Sequence, residues 1–288
     1  MPRQLIKMEK SLHITNFKNL KFFKQGQYQR IYWGVEFCQN LIPTVADTEE
    51  ILSFIIKNNL KFSFVTPFVT EYKLEWLRRI FYWLNKKKLK CEIVVNDWGI
   101  LEYLHSEFKG YFELSLGRLL VRQQRDPAMK RVLEKQPLFP VKGKDGKIRI
   151  IVHKPPSKSY QEGIKASYVN SSLFQGLLSK FGIKRIELNN LIQGLNLEGI
   201  KFKKSIYTPF VNISTSRFCP MESRFQKIYR INVCRRECQK YYEILRNRAI
   251  PKIIYKRGNT TFYKNPIDIK KVLKTDIDRL VFQPGLPF

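Results

Sequence analysis

Arg30-Ile31-Tyr32-Trp33-Gly34-Val35-Glu36-Phe37-Cys38 reads as a β-strand that runs into a cysteine. Outward from it the pattern alternates. Asp47-Thr48-Glu49-Glu50 has the composition of a helix start, with Asp47 or Thr48 as N-cap and acids in the first turn, and predicts a helix over 49–58. A second strand is expected over 61–65. Leu74, Leu77, Ile80, Phe81 and Leu84 then recur at helical spacing within 70–86. A third strand is expected over 92–95, a helix over 98–107 capped by Asp97, and a fourth strand over 114–121. Strand–helix units of this length argue for a parallel sheet with crossover helices.

Residues 122–165 break the rhythm with five prolines (Pro127, Pro137, Pro140, Pro155 and Pro156) and many lysines and arginines. Lys142-Gly143-Lys144-Asp145-Gly146-Lys147 offers a turn, so this stretch reads as an inserted basic loop or small hairpin excursion. The alternation then resumes, with a helix over 171–181, a strand over 184–188, a short helix over 190–195 and a strand over 206–213. A helix over 233–248 and two or three short strands within 252–283 complete the reading. Seven or eight strands with interleaved helices fit an α/β TIM-like (β/α) barrel. It is expected as a single large domain over 1–288, carrying a basic insertion at about 122–165. A doubly wound open sheet is the alternative.

The chain has 288 residues, enough for a large core, and 53 basic against 24 acidic side chains, a net charge of +29. Such a field attracts polyanions, of which RNA is the commonest partner in a cytoplasm; a lysine-rich composition alone is the plainer account. No apolar run is long enough for a transmembrane helix, so no membrane insertion is expected. The segment from Met1 to Lys7 has no apolar signal core. A cytoplasmic location is therefore the expectation.

Cys38 closes the opening strand, and Cys219, Cys234 and Cys238 follow far downstream. Four thiolates gathered by the fold suit an iron–sulfur cluster or zinc; iron–sulfur is preferred because only one short cysteine pair is present. Cys234 and Cys238, four apart on the expected helix, share a face. Cys91, within an apolar run, reads as an ordinary core residue. His13, His105 and His153 form no motif. Glu36 is a candidate proton carrier, or one half of a salt bridge. Asp97, with Asn96, is a candidate catalytic group or a plain helix cap. Arg122, Arg125, Lys130, Arg131, Lys142 and Lys144 are candidates for contact with nucleic acid or another anion at the barrel mouth.

Taken in order, these motifs resemble peptidase family U-32, the collagenase-like peptidases. The likeness is strongest to its short members in anaerobic ubiquinone biosynthesis. Ile31 to Cys38 resembles the family's first strand with its first cluster cysteine. Val94-Val95-Asn96-Asp97-Trp98-Gly99 resembles its strand-to-helix turn, and Cys219 with Cys234-Arg235-Arg236-Glu237-Cys238 resembles its late cysteine cluster. The resemblance covers roughly 30–285. It implies a TIM-like barrel and a [4Fe–4S] cluster on Cys38, Cys219, Cys234 and Cys238, in a binding region of about 215–245. It also implies oxygen-independent hydroxylation, of RNA bases in some relatives and of ubiquinone precursors in others. The role would be that of catalyst or of redox subunit beside a protein partner of the same family; a peptidase is the further alternative.

Overall fold

A computed structural model describes residues 8–134, 139–151, 154, 156–224, 233–248 and 250–288. The chain opens with β1 (Glu9–Ile14), a short 3-10 turn and β2 (Arg30–Gly34), then α1 (Val45–Lys57), β3 (Lys61–Val65), α2 (Glu71–Lys86), β4 (Glu92–Val95), α3 (Trp98–Phe108) and β5 (Glu113–Leu116). An excursion follows, made of α4 (Arg118–Val121), α5 (Met129–Leu133), the antiparallel hairpin β6 (Phe139–Lys142) and β7 (Ile148–Ile151), α6 (Lys158–Gly163) and α7 (Ser172–Lys180). Then come β8 (Ile183–Asn189) and β9 (Lys203–Thr208). A second excursion adds β10 (Phe210–Thr215), β11 (Glu243–Asn247), β12 (Ile250–Arg257) and β13 (Thr260–Lys264), and α8 (Ile269–Val272) leads into β14 (Arg279–Phe282).

Among the described residues, eight parallel strands close a barrel in the order β1-β14-β9-β8-β5-β4-β3-β2. The expected TIM-like barrel is therefore present, although the opening strand of the sequence reading is the second of the barrel. Strand alternation sorts the side chains. Ile31, Trp33, Phe62, Phe64, Ile93, Val95, Leu114 and Leu116 face outward into one large core with Leu77, Ile80, Phe81 and Leu84 of α2. Tyr32, Val65, Val94, Tyr207 and Val281 form a separate layer inside the barrel. No described helix is long and apolar enough to cross a membrane.

Several expectations need correction. The N-cap of α1 is Thr44, whose hydroxyl accepts from the backbone N–H of Asp47 while the Asp47 carboxylate accepts from that of Thr44. The fourth strand ends at Leu116, because Gly117 turns the chain into α4. Residues 190–195 form turns rather than a helix. The run over 206–213 is two strands, broken at Pro209, which has no N–H to offer a ladder. Cys219 therefore follows β10 of the antiparallel sheet, not a barrel strand.

The expected helix over 233–248 is also absent. Arg236 adopts a left-handed conformation (φ 56°), a single 3-10 turn spans Glu237–Gln239, and β11 pairs with β12 from Glu243 onward. Sheet pairing overrides the local helical pattern here. The shared helical face proposed for Cys234 and Cys238 does not exist. His153 lies outside the described residues.

The lower barrel interior is polar, unlike the branched aliphatic filling usual for this fold. Arg279 donates to Glu92 and to the Tyr32 hydroxyl, both at 2.6 Å, and pairs with Glu9 at 3.0 Å. Arg30 binds Glu9 at 2.6 Å, and Ser63 donates to Glu92 at 2.6 Å. Glu187 accepts from Ser115 at 2.7 Å and from Tyr32 at 3.2 Å through Oε1, while its Oε2 is buried without a partner. Burial, with the neighbouring Glu92 charge, pushes the Glu187 carboxyl up to about 7.

Two predictions follow from this interior. A raised carboxyl stabilises the fold when protonated, and that contribution is lost as pH rises from the ordinary value of 4.5 through about 7. His13, held below its ordinary value by burial, acts oppositely in the same window, so the comparison must be with a variant. Glu187→Gln should gain stability relative to wild type between pH 5 and 8, by up to about 3 kcal/mol, in denaturant titrations at each pH. A constant difference across that range would show that Glu187 is ionised throughout. Second, Gly34 has φ +121°, and an added Cβ would meet the Val65 carbonyl oxygen at 2.3 Å. Gly34→Ala should cost on the order of 3 kcal/mol or prevent folding, whereas Gly26→Ala, in open space at φ +77°, should cost about 1 kcal/mol.

Candidate functional site

Cys38 lies past the carboxyl-terminal end of β2, and the charges of Cys219, Cys234 and Cys238, from the later part of the chain, act on it. Cys38 follows β2 and precedes a 3-10 turn over Gln39–Leu41. Cys219 precedes the turn Pro220–Ser223, and Cys238 sits in the turn Glu237–Gln239. Burial pushes the Cys38 thiol up to about 12, and the charges of Cys238, Cys234 and Cys219 all add to the rise. Cys238 is pushed up to about 11 by burial, with Cys219 and Cys234 adding, and Cys219 also rises. The thiols are thus close enough to feel one another. A metal entering here must displace their protons, and its binding is coupled to that loss.

The walls are apolar. Cys238 packs with Phe37, Phe210, Phe262 and Phe288, and Cys38 lies against the same cluster. The rim is cationic. Lys73, near the start of α2, feels the charges of Arg236, Cys234 and Cys38, and its ammonium lies 3.6 Å from the centre of the Trp76 ring. Arg257 donates to the Cys238 carbonyl at 2.7 Å. Arg217 donates to the Val69 carbonyl at 3.3 Å, and Arg224 pairs with Glu243 at 3.6 Å. Among the described residues, no three His, Cys, Asp or Glu side chains already stand at metal-holding geometry. The donor set fits a soft metal centre in kind: four thiols, Cys238 buried among aromatic rings and the other three half-buried, with basic groups that offset thiolate charge. Cys91 packs in the outer core between barrel and helices, and burial raises its thiol.

Beside the cysteines the barrel mouth is sealed by a buried ion pair. Arg118 donates through Nε to Glu36 Oε1 at 3.0 Å and through Nη2 to Glu36 Oε2, and both side chains are fully buried. Its Nη1 reaches Asn189 Oδ1 at 3.1 Å and the Phe210 carbonyl at 3.0 Å, and its guanidinium lies 4.0 Å from the Tyr207 ring centre. His13 Nε2 bonds the Gly34 carbonyl at 3.1 Å and so carries the proton. Gln283 Nε2 donates to Nδ1 at 3.0 Å. Burial holds His13 below its ordinary value against the pull of Glu36. Both amide atoms of Asn212, the Tyr207 hydroxyl and Gln283 Oε1 are buried nearby in the fold without partners.

Of the sequence candidates, Glu36 is half of a salt bridge. Asp97 is a helix cap, accepting from Gly99 at 2.7 Å and Ile100 at 3.3 Å, and from Val69 N at 3.2 Å. Arg118 and Arg122 each lie close enough to Arg125 for their charges to act on it. Lys130 pairs with Glu134 at 3.6 Å, Arg131 is exposed, and Lys142 and Lys144 stand exposed on the β6–β7 hairpin. Lys73 and Arg257 carry no local mark in the sequence. His13 stands there without a motif, and the Gly117-Arg118 step at a strand end is the local signal for Arg118.

No family model matches the chain, and no curated protein matches it. Among solved structures it is similar to the U32 peptidase Mk0906, at 10% identity and TM-score 0.48, over 100% of this chain and 97% of that one. It is also similar to human YKL-39, described as a pseudo-chitinase, at 12% identity and TM-score 0.36, over 96% and 92% of the two chains. A third is a glycoside hydrolase family 18 N-acetylglucosaminidase from Paenibacillus barengoltzii, at 8% identity and TM-score 0.35, over 96% and 94%. The barrel assignment rests on the closed strand order itself.

Proposed function

We propose that Cys38, Cys219, Cys234 and Cys238 hold a [4Fe–4S] cluster, and that the protein takes part in oxygen-independent hydroxylation of RNA or another anionic substrate. The observation that supports this reading is that four thiols, from parts of the chain about two hundred residues apart, act on one another's charge, with Cys238 and Cys38 against one aromatic cluster. When bound, such a cluster supplies one-electron transfer. The chain's own residues do the rest. Phe37, Phe210, Phe262 and Phe288 keep water from the sulfurs, and Lys73 and Arg257 balance charge. The net charge of +29 draws an anionic substrate to the surface.

A second reading, a redox subunit working beside a partner protein, is favoured by one feature. β11 is the edge strand of its sheet and exposes Ile244 and Leu245, with Tyr241, Tyr242 and Val233 exposed just before it. No observation favours a peptidase: both ring nitrogens of His13 are engaged, and His105 is an exposed residue of α3.

Protein isolated without oxygen should carry about four irons and matching sulfide per chain. Alanine at Cys38, Cys219, Cys234 or Cys238 should strip or degrade the centre, and Cys91→Ala should leave it intact. Stoichiometric zinc, or loss of iron in the Cys91 variant, would sink this assignment. The same preparations, assayed for RNA binding at low and high salt, should show affinity falling steeply with salt. A lack of RNA affinity even at low salt would move the redox-subunit reading to first place.

A further inference from the structure

Just past β5 the chain carries three arginines, Arg118, Arg122 and Arg125, and the charges of the first two act on the third. Arg118 is neutralised by Glu36. Arg122 is exposed and lies over the Tyr168 ring at 5.9 Å. Arg125 has no hydrogen-bond or ion-pair partner among the described residues, and its Nη1 is sealed from solvent. A buried guanidinium nitrogen with nothing to donate to costs free energy, and an acceptor placed there would recover it. The cost shows in the group's proton affinity: burial, then Arg118 and Arg122, bring Arg125 down to about 10.

A second unpartnered donor belongs to the same neighbourhood: Gln193 donates to the carbonyl of Gln124, the residue before Arg125, at 2.7 Å, and Tyr263 packs against Leu191 of that loop. The Tyr263 hydroxyl, on β13, is buried and within range of the Arg125 charge. The backbone of Ile192 is near this hydroxyl but not at hydrogen-bonding geometry. Asp126 also lies near Tyr263, with its Oδ1 accepting from the Ala128 N–H at 2.8 Å. Tyr263 packs with Leu191 and Val211, which places the pair above the end of β8.

We propose that Arg125 and Tyr263 form an oxyanion subsite at the barrel mouth, which takes one phosphate or carboxylate group of a ligand. An oxyanion there accepts from Arg125 Nη1 and from the Tyr263 hydroxyl, two charge-assisted hydrogen bonds. Arg122 stands at the rim and adds attraction without being buried. Beyond it the exposed rings of Tyr168 and Trp98 both contact Phe174, at 6.2 and 6.0 Å between centroids, and give a planar part of the same ligand a surface to meet. The subsite deepens the anionic-substrate part of the proposed function and does not depend on the metal centre.

The test titrates inorganic phosphate, a short single-stranded oligoribonucleotide and succinate into the full chain, at ionic strength matched with sodium chloride. Calorimetry and thermal melting are the readouts. Wild type should bind at least one probe, and Arg125→Gln and Tyr263→Phe should each weaken that binding by about tenfold or more. Without any probe, Arg125→Gln should melt at a higher temperature than wild type, because a buried unpaired charge has been removed. Arg125→Gln therefore reports on binding rather than on misfolding, and the probe-free melting temperature of Tyr263→Phe, expected to match wild type, makes the same check for that variant.

A loss confined to the oligoribonucleotide assigns the group to an RNA phosphate; a loss confined to succinate assigns a carboxylate. Equal binding by wild type and both variants overturns the subsite and leaves the anionic-substrate reading standing. Binding of phosphate or succinate through Arg125, with no affinity for the oligoribonucleotide, supports the subsite and overturns RNA as the substrate. No response to any probe beyond the chloride control overturns the subsite.

Discussion

The Arg118–Glu36 pair is the constraint around which the upper half of the molecule is arranged. Taking two charges out of water costs several kcal/mol per ion, and only close pairing with every remaining donor satisfied offsets it. Arg118 meets that condition through four contacts: both Glu36 oxygens, Asn189 at the end of β8, and the backbone of Phe210 at the start of β10. Glu36 lies two residues before Cys38, and Phe210 opens the sheet that carries the chain on to Cys219. One side chain after β5 thereby joins the segments whose thiols meet. Removal of either charged partner from such a pair typically costs about 3–5 kcal/mol, because the other is left buried alone.

Lower in the barrel the same logic is repeated with more members. Glu9 and Glu92 face Arg30, Arg185 and Arg279, with Asp278 closing the set at the rim. Hydrogen bonds from serines and Tyr32 link these ions to Glu187. Each strand contributes a polar side chain at a fixed register, so a slip of one residue would turn the charges outward and the aliphatic residues of the outer face inward. Ionic filling of this kind is a poor source of net stability but a strict specifier of which strand lies beside which. Between the two polar levels sits the thin apolar layer of Tyr32, Val65, Val94, Tyr207 and Val281.

Much of the barrel was legible because its signals are local. Helix α2 announces itself by Leu74, Leu77, Phe81 and Leu84, and α3 by the Asp97 cap, and both lie where the pattern predicted. The first strand was missed because Glu9 to Ile14 opens with three polar residues and holds only two apolar ones, Leu12 and Ile14, too few to stand out from its polar surroundings. The region after Cys219 was misread for the opposite reason: residues 233–248 have helical spacing, but pairing between β11 and β12 decides their state. The four cysteines could be picked out by type alone. The residues around them could not: Lys73, Arg257 and Phe288 reach the thiols only through the closure of the barrel, and no spacing in the chain records that contact.

The order in which the chain is made sets a condition that the finished structure does not display. Cys38 comes just after β2, yet Cys219, Cys234 and Cys238 are added about 180 to 200 residues later. β1 cannot finish pairing until β14 exists. At ribosomal speeds of about 5–20 residues per second, the Cys38 thiol waits on the order of ten to forty seconds for the others. Through that interval neither the aromatic wall nor the basic rim is in place, so the sulfur is open to oxidation and to stray metals. The burial that raises the Cys38 thiol is thus among the last things that synthesis supplies, because Phe288 ends the chain.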